Sequence, residues 1–153
     1  MKLTDFINVE CVKVGITSPV KKQALEELVD QLIAAKKVKK ENKTKILKVL
    51  NERERKGSTG IGQGIAIPHA SSDSIKNIVI AFGNSKQGVE FEALDGELVY
   101  IIFMILAPKE SSGLHLKVLA KISRLLKDKY FRQALAGANS AEEVYRSIQG
   151  EDV

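Results

Sequence analysis

The chain has 153 residues, 44% of them hydrophobic, and this length and composition fit one globular domain over residues 1–153. The N-terminus has no apolar stretch of signal-peptide length, and the longest apolar run, Leu98 to Ala107, is about half of the roughly 20 residues that span a membrane. We therefore expect a cytoplasmic protein without membrane insertion. The net charge of +5 permits an acidic partner. A single cysteine cannot form an internal disulfide. Because the chain has only this cysteine and two histidines, we expect neither a metal site nor another cofactor.

Two amphipathic helices are predicted in the first third of the chain. Ser18 followed by Pro19 is a favourable helix start, because serine caps well and proline is tolerated at the first helical position. Leucine, isoleucine and valine then recur at helical spacing, which predicts a helix from about Pro19 to Lys37. The same periodicity predicts a second helix from about Asn42 to Arg55, ending near Gly57.

A lysine-rich stretch lies between and within these two helices. It could contact a nucleic-acid backbone or an acidic protein, but a solvated helix face is the more common reason for such a stretch. The stretch has no interleaved aromatic residues and no nucleic-acid motif, so we expect no nucleic-acid partner. Its members are Lys36, Lys37, Lys39, Lys40, Lys43, Lys45 and Lys48.

Strands are predicted next, and helices follow them. Short apolar runs rich in β-branched residues predict strands over 64–68, 78–82 and 98–106, with a less certain strand over 11–14 and an edge strand over 88–91. Helices are predicted over 113–127, 130–136 and 141–149, the last with a capping box formed by Ser140 and Glu143. This order, with a sheet apolar on both faces, predicts an α/β sandwich of three layers.

A glycine-rich turn that leads to Pro68-His69 is the most informative feature for function. Its glycines, at 57, 60, 62 and 64, could expose backbone amides to an anion, although they match neither the P-loop nor the dinucleotide-binding motif. Such a turn is more often structural than functional. Pro68 and the end of the predicted strand should present His69 to solvent, and an imidazole that is neutral near pH 7 can accept a phosphoryl group.

Phosphoryl transfer at His69 requires neighbouring groups that stabilise negative charge. Without a metal, the available groups are Arg53, the backbone amides of the glycine-rich turn and His115. His115 lies in the first turn of the predicted 113–127 helix, where the helix dipole favours a neutral imidazole. By itself it would more often be a packed, structural histidine, and helical periodicity does not show whether the fold brings it to His69.

These residues resemble a known family. They are similar to the IIA component of the phosphoenolpyruvate-dependent phosphotransferase system, fructose and mannitol type, including its nitrogen-related branch. The similarity lies in the segment from Arg53-Glu54 through Gly60 to Ile65-Ala66-Ile67-Pro68-His69, and in the later Ala93-Leu94-Asp95-Gly96 and His115-Leu116. The resemblance implies an α/β fold with a mixed sheet flanked by helices on both faces. It implies that His69 accepts phosphate from the phosphocarrier HPr or a paralogue, with Arg53 as the active-site arginine and His115 as a second, non-phosphorylated histidine.

Two functions follow from this resemblance. The first is a phosphocarrier that passes phosphate from His69 to a IIB component for sugar uptake. The second is a regulatory protein whose phosphorylation state controls which target proteins it binds. No IIB, IIC or HPr-like segment is visible in the sequence, so we expect these partners to be separate chains. The sequence leaves open the sugar, the choice between the two branches, the oligomeric state and the ring nitrogen that carries the phosphate.

Overall fold

A computed structural model describes residues 1–152. Within these residues the chain forms five α-helices and six β-strands. The helices are α1 (Lys21–Ala34), α2 (Lys43–Arg55), α3 (Ser112–Leu125), α4 (Lys129–Gly137) and α5 (Ala141–Glu151). The strands are β1 (Val12–Val14), β2 (Gly60–Gly62), β3 (Ile65–Ala66), β4 (His69–Ser71), β5 (Val79–Val89) and β6 (Val99–Ala107).

The strands form one mixed sheet in which β5 and β6 are the long central pair. These two strands are antiparallel, with Phe82 opposite Phe103, and β1 lies parallel to the other edge of β5. Both β3 and β4 run parallel to β6, while β2 pairs antiparallel with β3 and completes the sheet. The two short strands next to β6 carry the sequence that ends in Pro68-His69.

Helices cover both faces of the sheet. On β5, a Cβ added to Gly83 would meet the side chains of Ile16 and Leu28, which places α1 on that face. The next residue, Asn84, points to the opposite face because side chains alternate along a strand, and its amide donates to carbonyls of Leu135 and Ala138 at the end of α4. The buried apolar residues form one hydrophobic core around the sheet, and the predicted α/β sandwich is confirmed.

Among the helices within residues 1–152, none has both the length and the apolar character needed to cross a membrane. The apolar run at Leu98–Ala107 is instead β6, whose residues from Ile101 to Ala107 are all buried. Strands that are covered on both sides are apolar throughout, since neither face meets water.

The predicted start of α1 is wrong. The helix begins at Lys21, and Ser18 does not cap it. The N–H of Ser18 donates instead to the Glu27 carboxylate at 2.8 Å. The segment before the helix is held extended, because the carbonyl of Pro19 accepts from Glu90 N–H at 2.8 Å and the N–H of Lys21 donates to the Glu90 carbonyl at 3.0 Å. A strand-like contact with a distant segment therefore overrides the local helix signal.

Two strand predictions also differ from the structure, and two observed strands were not predicted. Residues 88–91 do not form a separate edge strand, because β5 continues through an irregularity as far as Val89. The strand predicted over 64–68 is shorter, since β3 covers only Ile65–Ala66. Two strands, β2 and β4, were not predicted because each has three residues and too little pattern of its own. The remaining predicted helices agree with the observed ones to within about two residues.

Asp152 joins the two ends of the described chain. The residue is 3% exposed, and its carboxylate accepts the N–H of Leu3 at 2.7 Å and of Thr4 at 2.9 Å and forms an ion pair with Lys121 at 3.0 Å. Burial alone would raise the pKa of Asp152, but the hydrogen bonds from Thr4, Leu3 and Lys121 favour the carboxylate and lower the pKa below its usual value.

We predict that Asp152→Asn lowers the free energy of unfolding by about 1–3 kcal/mol at neutral pH, because buried donors lose a charged acceptor. A carboxyl whose pKa is lowered by folding stabilises the native state above its unfolded-state pKa of ~3.9, and this stabilisation is lost as the pH falls through the folded-state pKa. In urea unfolding, the difference in the free energy of unfolding between wild type and Asp152→Asn should therefore become smaller as the pH is lowered. Glu151→Gln is the control. An equal loss of unfolding free energy in both variants would contradict a specific stabilising role of the Asp152 carboxylate.

Candidate functional site

His69 is positioned by an interruption in one edge of the sheet. The strands β3 and β4 both pair with β6, Ile65 lying opposite Ile101 and His69 opposite Ile105. Proline at 68 has no N–H to give to a ladder, so pairing breaks there. The carbonyl of Pro68 still accepts from Ile105 N–H at 2.9 Å. His69 therefore begins a new strand directly after the break, and does not end a strand as the sequence suggested.

The imidazole of His69 is oriented by a backbone carbonyl. Its Nδ1 lies 2.8 Å from the carbonyl oxygen of Ile67. Since a carbonyl oxygen only accepts, Nδ1 carries the proton in this contact. In the neutral ring the second nitrogen, Nε2, then holds an unshared electron pair. The ring is partly buried, so neighbouring protein atoms also restrict its position.

The fold brings His115 next to His69. The strand β6, which pairs with β4, ends at Ala107, and a short connection leads into α3, whose first turn contains His115. The two imidazole rings lie edge to face, with centroids 5.5 Å apart and an angle of 79° between their planes. The structure thus unites the two histidines whose proximity the sequence left open.

The Nε2 atom of His115 is buried and has no hydrogen-bond partner among residues 1–152. Buried polar atoms are nearly always paired, because an unpaired one loses its bonds to water without replacement. This nitrogen beside His69 is therefore available to a hydrogen-bonding group from outside the described residues.

Both histidines have lowered pKa values. Burial is the largest effect on His69 and lowers its pKa; the contact with Ile67 raises it, Arg53 lowers it and Glu54 raises it. Burial also lowers the pKa of His115, and the nearby His69 lowers it further. Both imidazoles are consequently neutral near pH 7. A neutral ring is the form in which a histidine nitrogen can act as a nucleophile.

Arg53 lies in the last turn of α2, near the histidine pair. Its Nη1 donates to the carbonyl of Gly57 at 2.8 Å, which holds the guanidinium over the start of the glycine-rich turn. The guanidinium is close enough to His69 to lower the pKa of that imidazole by charge repulsion. Arg53 has four further N–H groups beyond the one used here, so it can still bind an anion.

The glycine-rich turn is a hairpin and not an open anion cradle. Gly60 and Gly62 pair with Ala66 and Ile65 across β2 and β3. The amides expected to face an anion are largely used within the protein: Thr59 N–H donates to Glu54, Gly60 N–H to the Ser58 hydroxyl, and Gln63 N–H to Asp95 at 3.2 Å. Glycine is required at 60 because a Cβ there would lie 2.8 Å from the Ala93 Cβ.

Two lysines of the basic stretch have acidic partners within the chain. Lys43 lies 2.9 Å from Glu26 and 2.8 Å from Asp30, and Lys45 forms an ion pair with Asp73. The other five lysines are exposed. Two of the seven lysines are therefore neutralised within the chain, and the other five face solvent.

Sequence reasoning gave no role to Glu54, a buried carboxylate next to Arg53. Glu54 is 6% exposed, although it follows Arg53 directly and carries a charge. A signal was present in the helical spacing, because Glu54 continues the buried stripe that Ile46 and Leu50 form on α2. A carboxylate on an apolar stripe is rarely buried without a specific partner.

Comparison with known proteins identifies a family and several relatives. Residues 5–151 match the family model described as "Phosphoenolpyruvate-dependent sugar phosphotransferase system, EIIA 2". The chain is 38% identical to the "PTS system fructose-specific EIIABC component" of Bacillus subtilis (strain 168), over 99% of this chain. The chain spans only 24% of the length of that relative.

Two solved structures share the fold. The nitrogen regulatory protein IIA-Ntr from Neisseria meningitidis is 32% identical with a TM-score of 0.84, over 94% of this chain and 97% of that one. Enzyme IIAMTL from Escherichia coli, solved in complex with phosphorylated enzyme IIBMTL, has a TM-score of 0.77 at 22% identity, over 94% of this chain and 96% of that one. At that lower identity the similarity establishes the fold alone.

Proposed function

The chain belongs to the EIIA type 2 family of the phosphoenolpyruvate-dependent sugar phosphotransferase system, and from this premise we propose that residues 1–153 form one domain that carries a phosphoryl group on His69. Domains of this family act as phosphoryl carriers. The observation that supports His69 as the acceptor is the pairing of two neutral histidines, 5.5 Å apart, in which one ring is oriented by a carbonyl and the other has an orphaned nitrogen.

The acceptor atom in this proposal is Nε2 of His69. Its unshared electron pair attacks phosphorus, a new N–P bond forms, and the bond from phosphorus to the donor atom of an HPr-like phosphocarrier breaks. The donor atom leaves with the electron pair of the broken bond. The proton on Nδ1 stays in its contact with the Ile67 carbonyl, so no proton has to leave the ring before attack. The reverse sequence delivers the phosphoryl group to the next protein.

Arg53 and His115 provide the charge stabilisation. Negative charge is spread over three equatorial oxygens during transfer. Arg53 offers a charged, planar donor group, and the Nε2–H of a neutral His115 offers a second donor. The phosphoryl oxygens would give that nitrogen the partner it lacks among the described residues.

His115→Ala should slow phosphorylation of His69 by about tenfold without moving the phosphate, because one donor to the transferring group is lost. The rate is measured by quenching the reaction at intervals and determining the phosphorylated fraction by intact mass. Peptide mapping at neutral or higher pH then locates the phosphate. Phosphate on residue 115 of the wild type would reverse the two roles.

The carrier function is tested by a relay experiment. The protein is charged with phosphoenolpyruvate, enzyme I and HPr, separated from them, and mixed with a IIB component of the fructose type. The expected result is loss of phosphate from this chain and its appearance on IIB. Omission of HPr is the control. Retention of phosphate with several IIB components would contradict a transport role.

A regulatory role is the second candidate. It is favoured by IIA-Ntr from Neisseria meningitidis, whose name is that of a nitrogen regulatory protein and which this chain matches over 97% of its length. In this case the phosphorylated and unphosphorylated forms would bind different target proteins. Affinity capture with the two forms, from an extract of the cell that produces the protein, should then recover different partners. A carrier for sugar uptake should recover HPr and IIB, and no other partner should depend on its phosphorylation.

A further inference from the structure

We propose that Glu54 is a positioning residue for phosphoryl transfer: through Thr59 and Ile67 it holds His69 in the ring orientation and tautomer that leave Nε2 free. This inference rests on the proposed function of His69, but it concerns a residue to which neither the family resemblance nor the chemistry above gives a role. Glu54 does not touch the phosphoryl group. It acts on the backbone that orients the imidazole.

The Glu54 carboxylate is buried and fully engaged. Both of its oxygens accept from the N–H of Thr59, at 3.3 and 3.2 Å, and one of them also accepts from the Thr59 hydroxyl. The other lies 3.3 Å from Nζ of Lys21, at the start of α1. A buried carboxylate is costly unless it is paired and hydrogen bonded, and here both conditions are met.

Thr59 passes this constraint to the short segment that leads into His69. The carbonyl of Thr59 accepts the N–H of Ile67 at 3.0 Å, and the carbonyl of Ile67 accepts from Nδ1 of His69 at 2.8 Å. Ile67 is thus held on both sides, by Thr59 at its N–H and by His69 at its carbonyl. The next residue, Pro68, has no N–H to give to the ladder, and the pairing with β6 is interrupted between Ala66 and His69.

The opposite side of the turn is fixed independently of Glu54. The Ser58 hydroxyl donates to the Phe91 carbonyl at 3.0 Å, and Gly60 packs against Ala93. Removing the Glu54 charge should therefore loosen the chain at Thr59 without unfolding the turn. This separation makes a positioning role distinguishable from a purely structural one.

The charge of Glu54 has a second effect on the site. Arg53 and Glu54 are adjacent on α2 and act on His69 in opposite directions, Arg53 lowering and Glu54 raising the pKa of the imidazole. The buried Glu54 carboxylate thus offsets part of the repulsion between the Arg53 guanidinium and a protonated His69. Its hydrogen bonds are made to Thr59 and not to His69.

The test compares two isosteric substitutions on the same helix. Glu54→Gln removes the buried charge and one acceptor, while Glu52→Gln is the matched control at an exposed position. We expect Glu54→Gln to slow phosphorylation by HPr by about 10- to 100-fold, the range that small misplacements of a reacting group produce, and Glu52→Gln to leave the rate unchanged. Thermal unfolding confirms that both variants are folded.

The decisive readout is the tautomer of His69, measured on the unphosphorylated protein by nitrogen NMR of the ring. Wild type should show a proton on Nδ1, and Glu54→Gln should show a mixture of both tautomers. Thr59→Val should resemble Glu54→Gln and Thr59→Ser should resemble wild type, which provides the comparison if Glu54→Gln does not fold. A folded Glu54→Gln or Thr59→Val with the wild-type tautomer would overturn the proposal, even if the transfer rate fell. This measurement needs no phosphate. It therefore tests the role of Glu54 even if the wild-type protein does not accept phosphate, and the two failures can be distinguished.

Discussion

Replacing His69 with glutamine is expected to abolish the gain of phosphate from phosphoenolpyruvate, enzyme I and HPr. Glutamine has nearly the reach of histidine, and its amide N–H can still donate to the Ile67 carbonyl, but an amide nitrogen has no nucleophilic electron pair. Intact mass measurement should show one added phosphoryl group on wild type and none on the variant.

The control for this substitution is its fold. His69 lies at the start of β4 and is only partly buried, so His69→Gln should unfold within a few degrees of wild type. A folded variant that gains phosphate as wild type does would place the acceptor on another residue. His115, the only other histidine in the sequence, would then be the first to be mapped.

Replacing Arg53 with glutamine is expected to have the second largest effect, a loss of about 10²- to 10³-fold in the rate of phosphoryl transfer to a IIB component. In the proposed mechanism the arginine contributes a charged donor to oxygens that carry negative charge during transfer, and we expect Arg53→Gln to fold as wild type does. Arg53→Lys should recover only part of the rate, because an ammonium group cannot form two parallel hydrogen bonds.

A pH titration separates this role of Arg53 from a structural one. The guanidinium lowers the pKa of His69, so its removal should raise that pKa toward the ordinary value for histidine. Proton NMR of the ring between about pH 4 and 8 measures the shift. Arg55→Gln, at an exposed neighbouring position, is the control. An unchanged transfer rate in Arg53→Gln would remove Arg53 from the site.

The sequence was sufficient to predict the fold class and most helices. The repeats of leucine and isoleucine in α2 and α3 follow helical spacing closely, because each helix buries a single stripe. The start of α1 was mispredicted, because the contact of Pro19 and Lys21 with Glu90 connects segments that are distant in the sequence. Local signals such as Ser18-Pro19 carry no information about such a contact.

The same limit applied to the site. His69, Arg53 and His115 could be singled out by residue type and motif, but the approach of His115 depends on the pairing of β4 with β6, which periodicity does not specify. The amides of the glycine-rich turn were interpreted as free donors, whereas Glu54 and Asp95 already bind two of them. Glu54 itself was recognisable as a charged residue on the buried stripe of α2.

In the proposed mechanism, Nε2 of His69 accepts the phosphoryl group while Nδ1 remains bound to the Ile67 carbonyl. The most direct test is nitrogen and phosphorus NMR of the isotope-labelled protein after phosphorylation by HPr. We predict a single phosphohistidine, at residue 69, with phosphorus bonded to Nε2 and a proton on Nδ1. Phosphorus on Nδ1 of that ring, phosphate on His115, or no phosphohistidine would contradict it.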